Sequence, residues 1–98
     1  MEYYIQGDVL ILKIEKLPQG AKNKHTKVLV AGESTGHAHR VQNGEIYELG
    51  DRLFLQTHSP TIIEHEEHDE IPLEAPGVYE IKRQREYTGQ NMTRLVVD

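Results

Sequence analysis

The chain contains no cysteine among its 98 residues. It can therefore form neither disulfide bonds nor thiolate metal sites, and any bound metal must be held by imidazole and carboxylate groups. It also lacks an apolar run long enough to cross a membrane, because Lys13, Glu15 and Lys16 interrupt the apolar stretch near the N-terminus. No basic leader precedes that stretch, so we expect a cytoplasmic protein with no membrane partner.

Basic residues are in the minority, with 11 lysines and arginines against 16 aspartates and glutamates and a formal net charge of -5 at pH 7. Proteins that bind nucleic acid need basic residues to neutralise phosphates, so this balance argues against nucleic acid as a partner. The small size of the chain limits the fraction of surface that folding can bury. Metal binding or assembly into a homo-oligomer would therefore add stability.

Helical periodicity is missing as well, since no stretch offers an amphipathic helix of ten or more residues. Strand patterns dominate, and turn residues separate them at near-regular intervals. The predicted strands cover residues 8–14, 26–32, 35–41, 45–49, 52–57, 61–65, 78–88 and 93–97. Short strands in such number are typical of sandwiches and small barrels. We predict one all-β domain over residues 1–98, a small β-barrel or β-sandwich with little or no helix.

The dipeptide Asn43-Gly44 is the strongest hairpin signal in the sequence. It lies between the predicted strands 35–41 and 45–49, so we expect these two strands to pair as a β-hairpin. Alternation within the first strand places His37, His39 and Val41 on one side of it.

Four of the six histidines fall into two short clusters, "HAH" at 37–39 and "HEEH" at 65–68. Residues i and i+2 of a strand project the same way, so the first pair can converge on one metal ion through a ring nitrogen each. In the second pair the histidines are three residues apart, and on a flat strand they would project to opposite sides and could not share an ion. The spacing works if the chain bends after His65 or takes one helical turn.

We predict that the two pairs meet around one divalent ion, inside the mouth of the barrel. The predicted ligands are His37, His39, His65 and His68, and Glu66 or Glu67 could replace one of them. Imidazole with carboxylate suits zinc, iron, nickel or manganese. "HEEH" is not the metalloprotease signature H-E-x-x-H, because its second histidine comes one residue too soon. The alternative is that the two clusters are separate solvated features with no metal.

A second candidate site is a row of aromatic and basic side chains on one face of the strand predicted at 78–88. The row consists of Tyr79, Ile81, Arg83, Arg85 and Tyr87. Together with Arg40, its guanidinium groups could hold a carboxylate or phosphate, which predicts a small anionic ligand. The alternative is that the arginines form salt bridges with acidic residues of the same chain and the tyrosines pack in the core.

The pattern formed by Gly32, His37, His39, Glu45 and Gly50 resembles the first metal motif of cupins. Cupins are small double-stranded β-helix barrels with a metal among the strands, so the resemblance implies a cupin-like barrel. An SH3-like barrel is the alternative small architecture. The second cupin motif, a single histidine after Pro-x-Gly, is not clearly present. The histidine pair at 65–68 would have to take its place.

Almost the whole chain resembles an uncharacterised group of small prokaryotic and phage proteins. The stretches that carry this resemblance are "QGDVLI", "TGHAHRV", "EHEEHDEIPL", "APGVYEI" and "RQREY". The resemblance implies a single domain with a histidine-lined site, and it implies no activity.

Three functions fit these observations. The first is a metal-binding module without catalytic activity. The second is a metal-dependent enzyme acting on a small anionic molecule, with Glu66 or Glu67 as general base and the metal as Lewis acid or activator of water. The third is a metal-free accessory or interaction protein. A fold that holds the two histidine pairs apart would remove the metal hypothesis.

Overall fold

The computed structural model describes residues 2–31 and 36–83, which form ten β-strands and no helix. The strands are β1 (Tyr3–Gln6), β2 (Val9–Ile14), β3 (Lys22–Asn23), β4 (Val28–Ala31), β5 (Ala38–Val41), β6 (Glu45–Leu49), β7 (Arg52–Thr57), β8 (Thr61–Glu64), β9 (Ile71–Leu73) and β10 (Gly77–Arg83). The all-β prediction is confirmed. Across these two ranges, no helix is long and apolar enough to cross a membrane.

Several sequence predictions lie outside the described residues. They are Gly32 of the cupin-like pattern, Arg85 and Tyr87 of the arginine row, and the strand predicted at 93–97.

The strands form two antiparallel sheets. One has six strands in the order β1-β2-β10-β7-β6-β3, and the other has four in the order β4-β5-β8-β9. Apolar residues from both sheets share one buried cluster, so the architecture is a β-sandwich. The described strands do not close into a barrel, and the predicted barrel mouth has no counterpart among them.

The core lies between the sheets and draws on nearly every strand. Its buried members are Val9, Ile11, Leu29, Val41, Ile46, Leu55, Ile63, Leu73, Tyr79 and Ile81. Strand alternation explains which residues of β2 are buried: Val9 and Ile11 face the core, while Leu10 and Leu12 face the opposite side. Tyr79 is buried in this core, and its hydroxyl donates a hydrogen bond to the carbonyl oxygen of Glu74 at 3.1 Å.

Two glycine-aspartate loops close the hairpins of the larger sheet. Gly7-Asp8 joins β1 to β2, and Gly50-Asp51 joins β6 to β7. Both glycines have a positive φ, 61° at Gly7 and 62° at Gly50. A two-residue hairpin loop with glycine in its first position needs this conformation, which other residues reach only with strain.

The predicted hairpin at Asn43-Gly44 is wrong. Strand β5 pairs with β4 and β8 in one sheet, whereas β6 pairs with β3 and β7 in the other. The chain continues along β8 after β5, since the amide of Asn43 donates to Thr61 Oγ1 at 2.9 Å. It then crosses between the sheets at Gly44. A Cβ at Gly44 would lie 3.0 Å from the carbonyl oxygen of Gln56. Glycine therefore allows the backbone to pass close to β7 at this position.

Three strands were not predicted. Strand β3 has two residues and lies at a sheet edge, and β9 contains Pro72, which an edge strand tolerates because its missing N–H faces outward. Strand β1 also forms an edge, and the apolar and aromatic residues of Tyr3–Ile5 before the Gly7-Asp8 turn could have indicated it.

Candidate metal centre

The two histidine pairs meet at one end of the smaller sheet. The His65 ring lies between the others, with its centroid 4.3 Å from that of His39, 4.6 Å from that of His68 and 5.6 Å from that of His37. The His39 and His68 rings are nearly parallel, with centroids 6.3 Å apart. Four imidazoles from two separate stretches of the sequence, 37–39 and 65–68, therefore form one cluster.

Strand pairing explains why the pairs meet. Strands β5 and β8 are adjacent and antiparallel, with Arg40 opposite Glu64, so the start of β5 lies beside the end of β8. The chain bends at residues 66–68 directly after β8. The predicted bend after His65 is thus present, and it brings His68 to the same side as His65.

Gln6 of β1 fixes the orientation of the His39 ring. The side-chain nitrogen of Gln6 donates to two backbone carbonyl oxygens, that of Ile63 at 3.1 Å and that of Asp69 at 2.8 Å. Those contacts leave the amide oxygen facing Nδ1 of His39 at 2.8 Å. An amide oxygen can only accept, so Nδ1 carries the proton and Nε2 of the neutral ring carries a lone pair. The sequence does not indicate the role of Gln6, because Gln6 and His39 lie on strands of different sheets and only the fold brings their side chains together.

His39 is the most buried member of the cluster, with 5% of its surface exposed. Burial, followed by the neighbouring His65, lowers the pKa of His39 to about 4, although Asp8 acts in the opposite direction. The ring is therefore neutral at neutral pH. A neutral imidazole with a free Nε2 is the form that binds a metal ion.

His65 is held differently. Its Nδ1 accepts a hydrogen bond from the backbone N–H of Glu67 at 3.0 Å. Burial, followed by the neighbouring His68, lowers the pKa of His65. Metal binding through Nδ1 of this ring would replace the hydrogen bond from the Glu67 amide.

Glu66 anchors the bend to β5. One carboxylate oxygen accepts from the backbone N–H of Ala38 at 2.9 Å, and the other accepts from Nη1 of Arg40 at 2.7 Å. The Arg40 guanidinium and then the Ala38 amide lower the pKa of Glu66 to about 2. A carboxylate with so low a pKa is poorly matched to general-base work near neutral pH. Arg40, a predicted ligand-binding residue, has this carboxylate as a partner.

Only part of the cluster already has ligand atoms at ligating separations. One ligand atom each from His37, His65 and Glu66 lies within 4.8 Å of the other two. The predicted set of four histidines is thus close in space, but this grouping has Glu66 in place of His39 and His68. Glu67, the other predicted acid, also lies near His37, with Oε2 3.5 Å from its Nδ1.

The β1–β2 loop forms a further wall of the cluster. A Cβ at Gly7 would meet Nε2 of His68 at 2.6 Å, so the His68 ring lies over this loop. Asp8 Oδ1 lies 3.9 Å from Nε2 of His39, and Asp8 Oδ2 lies 3.6 Å from Nη2 of Arg83. Arg83, predicted to bind an anion, thus has a carboxylate of the same chain as partner. The "QGD" stretch is prominent in the sequence, but its glycine and aspartate indicate only a turn.

The remaining histidines, His25 and His58, and two surface clefts lie away from the cluster. His58 lies 3.6 Å from a carboxylate oxygen of Glu45. A cleft of about 560 Å³ is lined in part by Lys13 and His58, and another of about 280 Å³ is lined in part by His25 and Lys27. Neither cleft is lined by a residue of the four-histidine cluster.

A family model matches residues 5–84 of this chain. The chain belongs to a domain family of unknown function, DUF8820. The matched range contains Gln6, Asp8, both histidine pairs and Arg83, so the whole cluster lies within the family domain. No curated protein and no solved structure matches the chain.

Proposed function

We propose that this domain binds one divalent transition-metal ion at the cluster of His37, His39, His65 and His68. The observation that carries the proposal is the convergence of these four side chains, with His39 presenting an unprotonated Nε2. Imidazoles this close together offer several nitrogen ligands to a single ion. A bound ion would turn that arrangement into coordination bonds.

The donor atoms favour particular metals. Imidazole nitrogen suits zinc, nickel, iron and copper, whereas magnesium, calcium and manganese prefer oxygen. The carboxylate grouped with His37 and His65, that of Glu66, is occupied by Arg40 and the Ala38 amide. We therefore expect zinc, nickel or iron in preference to manganese.

The cupin-like scheme gains less support from the geometry. Glu45, which completes that pattern, lies on β6 in the other sheet. Its carboxylate accepts from the Tyr47 hydroxyl at 2.9 Å and lies near His58. We propose a metal site built on a β-sandwich, with the bend at 65–68 supplying the second histidine pair.

Metal analysis of untagged protein tests the proposal. The protein would be dialysed against zinc or nickel and its metal content measured by inductively coupled plasma mass spectrometry. Isothermal titration calorimetry would give the affinity. We expect one ion per chain and a higher melting temperature with metal, because an ion that binds only the folded state stabilises it by mass action. A chain that takes up no stoichiometric ion would contradict the proposal and favour a metal-free interaction protein.

Matched double variants identify the site. His37→Asn with His39→Asn should abolish stoichiometric binding. The control, His25→Asn with His58→Asn, removes two exposed histidines outside the cluster and should bind as the parent does. Asparagine suits position 25, where φ is 56°, because it tolerates the left-handed conformation. Equal binding by both double variants would place the ion elsewhere.

A metal-dependent enzyme is the second candidate, and the position of Glu67 favours it. Its side chain is 65% exposed and lies beside His37, so it could accept a proton from a metal-bound water or a substrate. Glu66 is less suited to that role because its pKa is about 2. Exchange-labile water on the bound ion, measured by water-proton relaxation of a manganese- or cobalt-substituted sample, would favour the enzyme. A saturated coordination sphere would favour the binding module.

A further inference from the structure

The loop between β1 and β2 places two electron-pair donors against each other beside the histidine cluster. Nε2 of His39 lies 3.9 Å from Oδ1 of Asp8. Gln6 accepts a hydrogen bond from Nδ1 of His39, so Nδ1 carries a proton and Nε2 is the ring nitrogen next to the carboxylate. A cation between these two atoms can bind to both of them.

The separation suits a shared ion. Metal bonds to histidine nitrogen and to carboxylate oxygen are each about 2.0–2.2 Å long. Two such bonds span up to about 4.4 Å when they are collinear and less when they are bent. An ion placed between Nε2 of His39 and Oδ1 of Asp8 can thus contact both atoms without moving either side chain far.

The second oxygen of Asp8 has a partner of its own. Oδ2 lies 3.6 Å from Nη2 of Arg83, which is at the end of β10 opposite Val9. The two oxygens of the carboxylate therefore face different groups, one the imidazole and the other the guanidinium. Carboxylates that bind a metal through one oxygen are commonly oriented through the other by a hydrogen-bonding partner.

We propose that Asp8 supplies an oxygen ligand to the ion, with Gln6 and Arg83 as the positioning residues that orient His39 and Asp8. The inference rests on the proposed function, because it assigns a further ligand to the same ion. The site is then a mixed imidazole–carboxylate centre in which Asp8 offsets one of the two positive charges of the ion. Its ligands come from the β1–β2 loop, from β5 and from the bend after β8.

A proton is the other cation that could lie between these atoms. In that case His39 is an imidazolium paired with Asp8, and its Nε2 is not available to a metal. Long-range ¹H–¹⁵N NMR of metal-free parent protein at neutral pH distinguishes the two, because protonated and unprotonated ring nitrogens have different ¹⁵N shifts. We expect a protonated Nδ1 and an unprotonated Nε2. A protonated Nε2 would overturn the inference, and this measurement needs no variant.

Asp8→Asn tests the ligand role, with Asp69→Asn as its control. Both remove one negative charge near the cluster, but the Asp69 contact to Gln6 is made by its backbone carbonyl, which the substitution keeps. The side-chain amide introduced by Asp8→Asn can donate to Nε2 of His39, so the metal-free variant should fold. We expect zinc affinity by calorimetry to fall by about tenfold or more in Asp8→Asn. Asp69→Asn should stay within about threefold of the parent, since it loses only a screened charge.

The outcomes separate the inference from the proposed function. If the parent binds zinc and Asp8→Asn binds it equally well, Asp8 is not a ligand and the histidine site stands without it. If Asp8→Asn and Asp69→Asn lose affinity to the same extent, the effect is general electrostatics and the ligand role is again overturned. If the parent binds no ion, both proposals fail. X-ray absorption of the zinc complex adds a direct readout, because loss of a ligand in Asp8→Asn changes the first coordination shell.

Discussion

A methyl group at Gly7 would lie 2.6 Å from Nε2 of His68 and 2.9 Å from its Cδ2. The His68 ring thus lies so close to Gly7 that the Cβ of any other residue there would displace it. This contact joins the first hairpin of the chain to the last histidine of the cluster. It gives Gly7 a second role in addition to its positive φ of 61°, which the tight loop already requires.

Gly7→Ala and Gly50→Ala separate these two roles. Both glycines occupy the same position of a two-residue hairpin loop, but a Cβ at Gly50 meets no atom within 4 Å. Both alanine variants should lose about 1–2 kcal/mol of stability, because alanine is strained at positive φ. Only Gly7→Ala should also displace His68 and weaken metal binding. Chemical denaturation and zinc calorimetry measure the two effects, and equal zinc affinity in the two variants would contradict the role assigned to the His68 contact.

Local patterns in the sequence predicted much of this site. Strand alternation predicted that His37 and His39 project the same way, and both rings lie next to His65, although β5 begins only at Ala38. The bend after His65 was predicted from a spacing that a flat strand cannot use. Both arguments concern neighbouring residues, where backbone geometry alone decides direction. The meeting of the two pairs could be proposed because an ion would require it, and the pairing of β5 with β8 supplies the reason in the fold.

Contacts between distant segments could not be read from the sequence in the same way. Nothing local to Gln6 indicates that its amide will face His39, since this depends on how β1 meets the other sheet. The error at Asn43-Gly44 has a related cause. The dipeptide suits a tight hairpin, but the hydrogen bond from Asn43 to Thr61 keeps the chain on β8 until it crosses at Gly44. Pairing in three dimensions prevailed over the local turn preference.

The role of Glu66 is tested by Glu66→Gln, with Glu67→Gln as its matched control. The glutamine oxygen can still accept from the Ala38 amide, but the charged contact with Arg40 is lost. If Glu66 is an anchor, zinc affinity should fall by about tenfold, at the lower end of the range for substitutions next to metal ligands. A much larger loss in Glu66→Gln alone would instead make Glu66 a ligand together with His37 and His65. Zinc calorimetry on the two variants decides between anchor and ligand.

The anionic-ligand hypothesis for the arginines is tested by Arg83→Lys. Arg83 contacts Asp8 and Arg40 contacts Glu66, so both have acidic partners in the same chain, while Arg85 lies outside the described residues. If Arg83 serves to orient Asp8, lysine should weaken zinc binding modestly, because it lacks the planar donor group of arginine. Phosphate binding, followed by ³¹P NMR titration of the zinc-loaded protein, should be absent or equal in parent and variant. Phosphate binding that is present in the parent and lost in Arg83→Lys would restore the anion site.

The stability of the metal-free protein should fall as the pH drops, and His39 should be a main cause. The pKa of its ring is about 4 in the folded protein and near 6.5 in the unfolded chain. Between those values the unfolded chain binds a proton that the folded ring does not, so acid favours unfolding. The contribution of His39 is therefore complete above about pH 6.5, declines toward pH 4 and is lost below it.

Urea unfolding in the presence of chelator measures this effect. The parent should lose stability between about pH 7 and about pH 5, and about 2 kcal/mol of the loss should disappear in His39→Asn. His65 contributes in the same direction, because its pKa is also lowered, so the parent's slope should not vanish entirely in the variant. His58→Asn is the control and should keep the full slope, since its side chain is exposed and outside the cluster. If the unfolding free energy depends on pH equally in His39→Asn and in the parent, His39 has the same pKa in the folded and unfolded states. Its burial against Gln6 would then not explain the pH dependence.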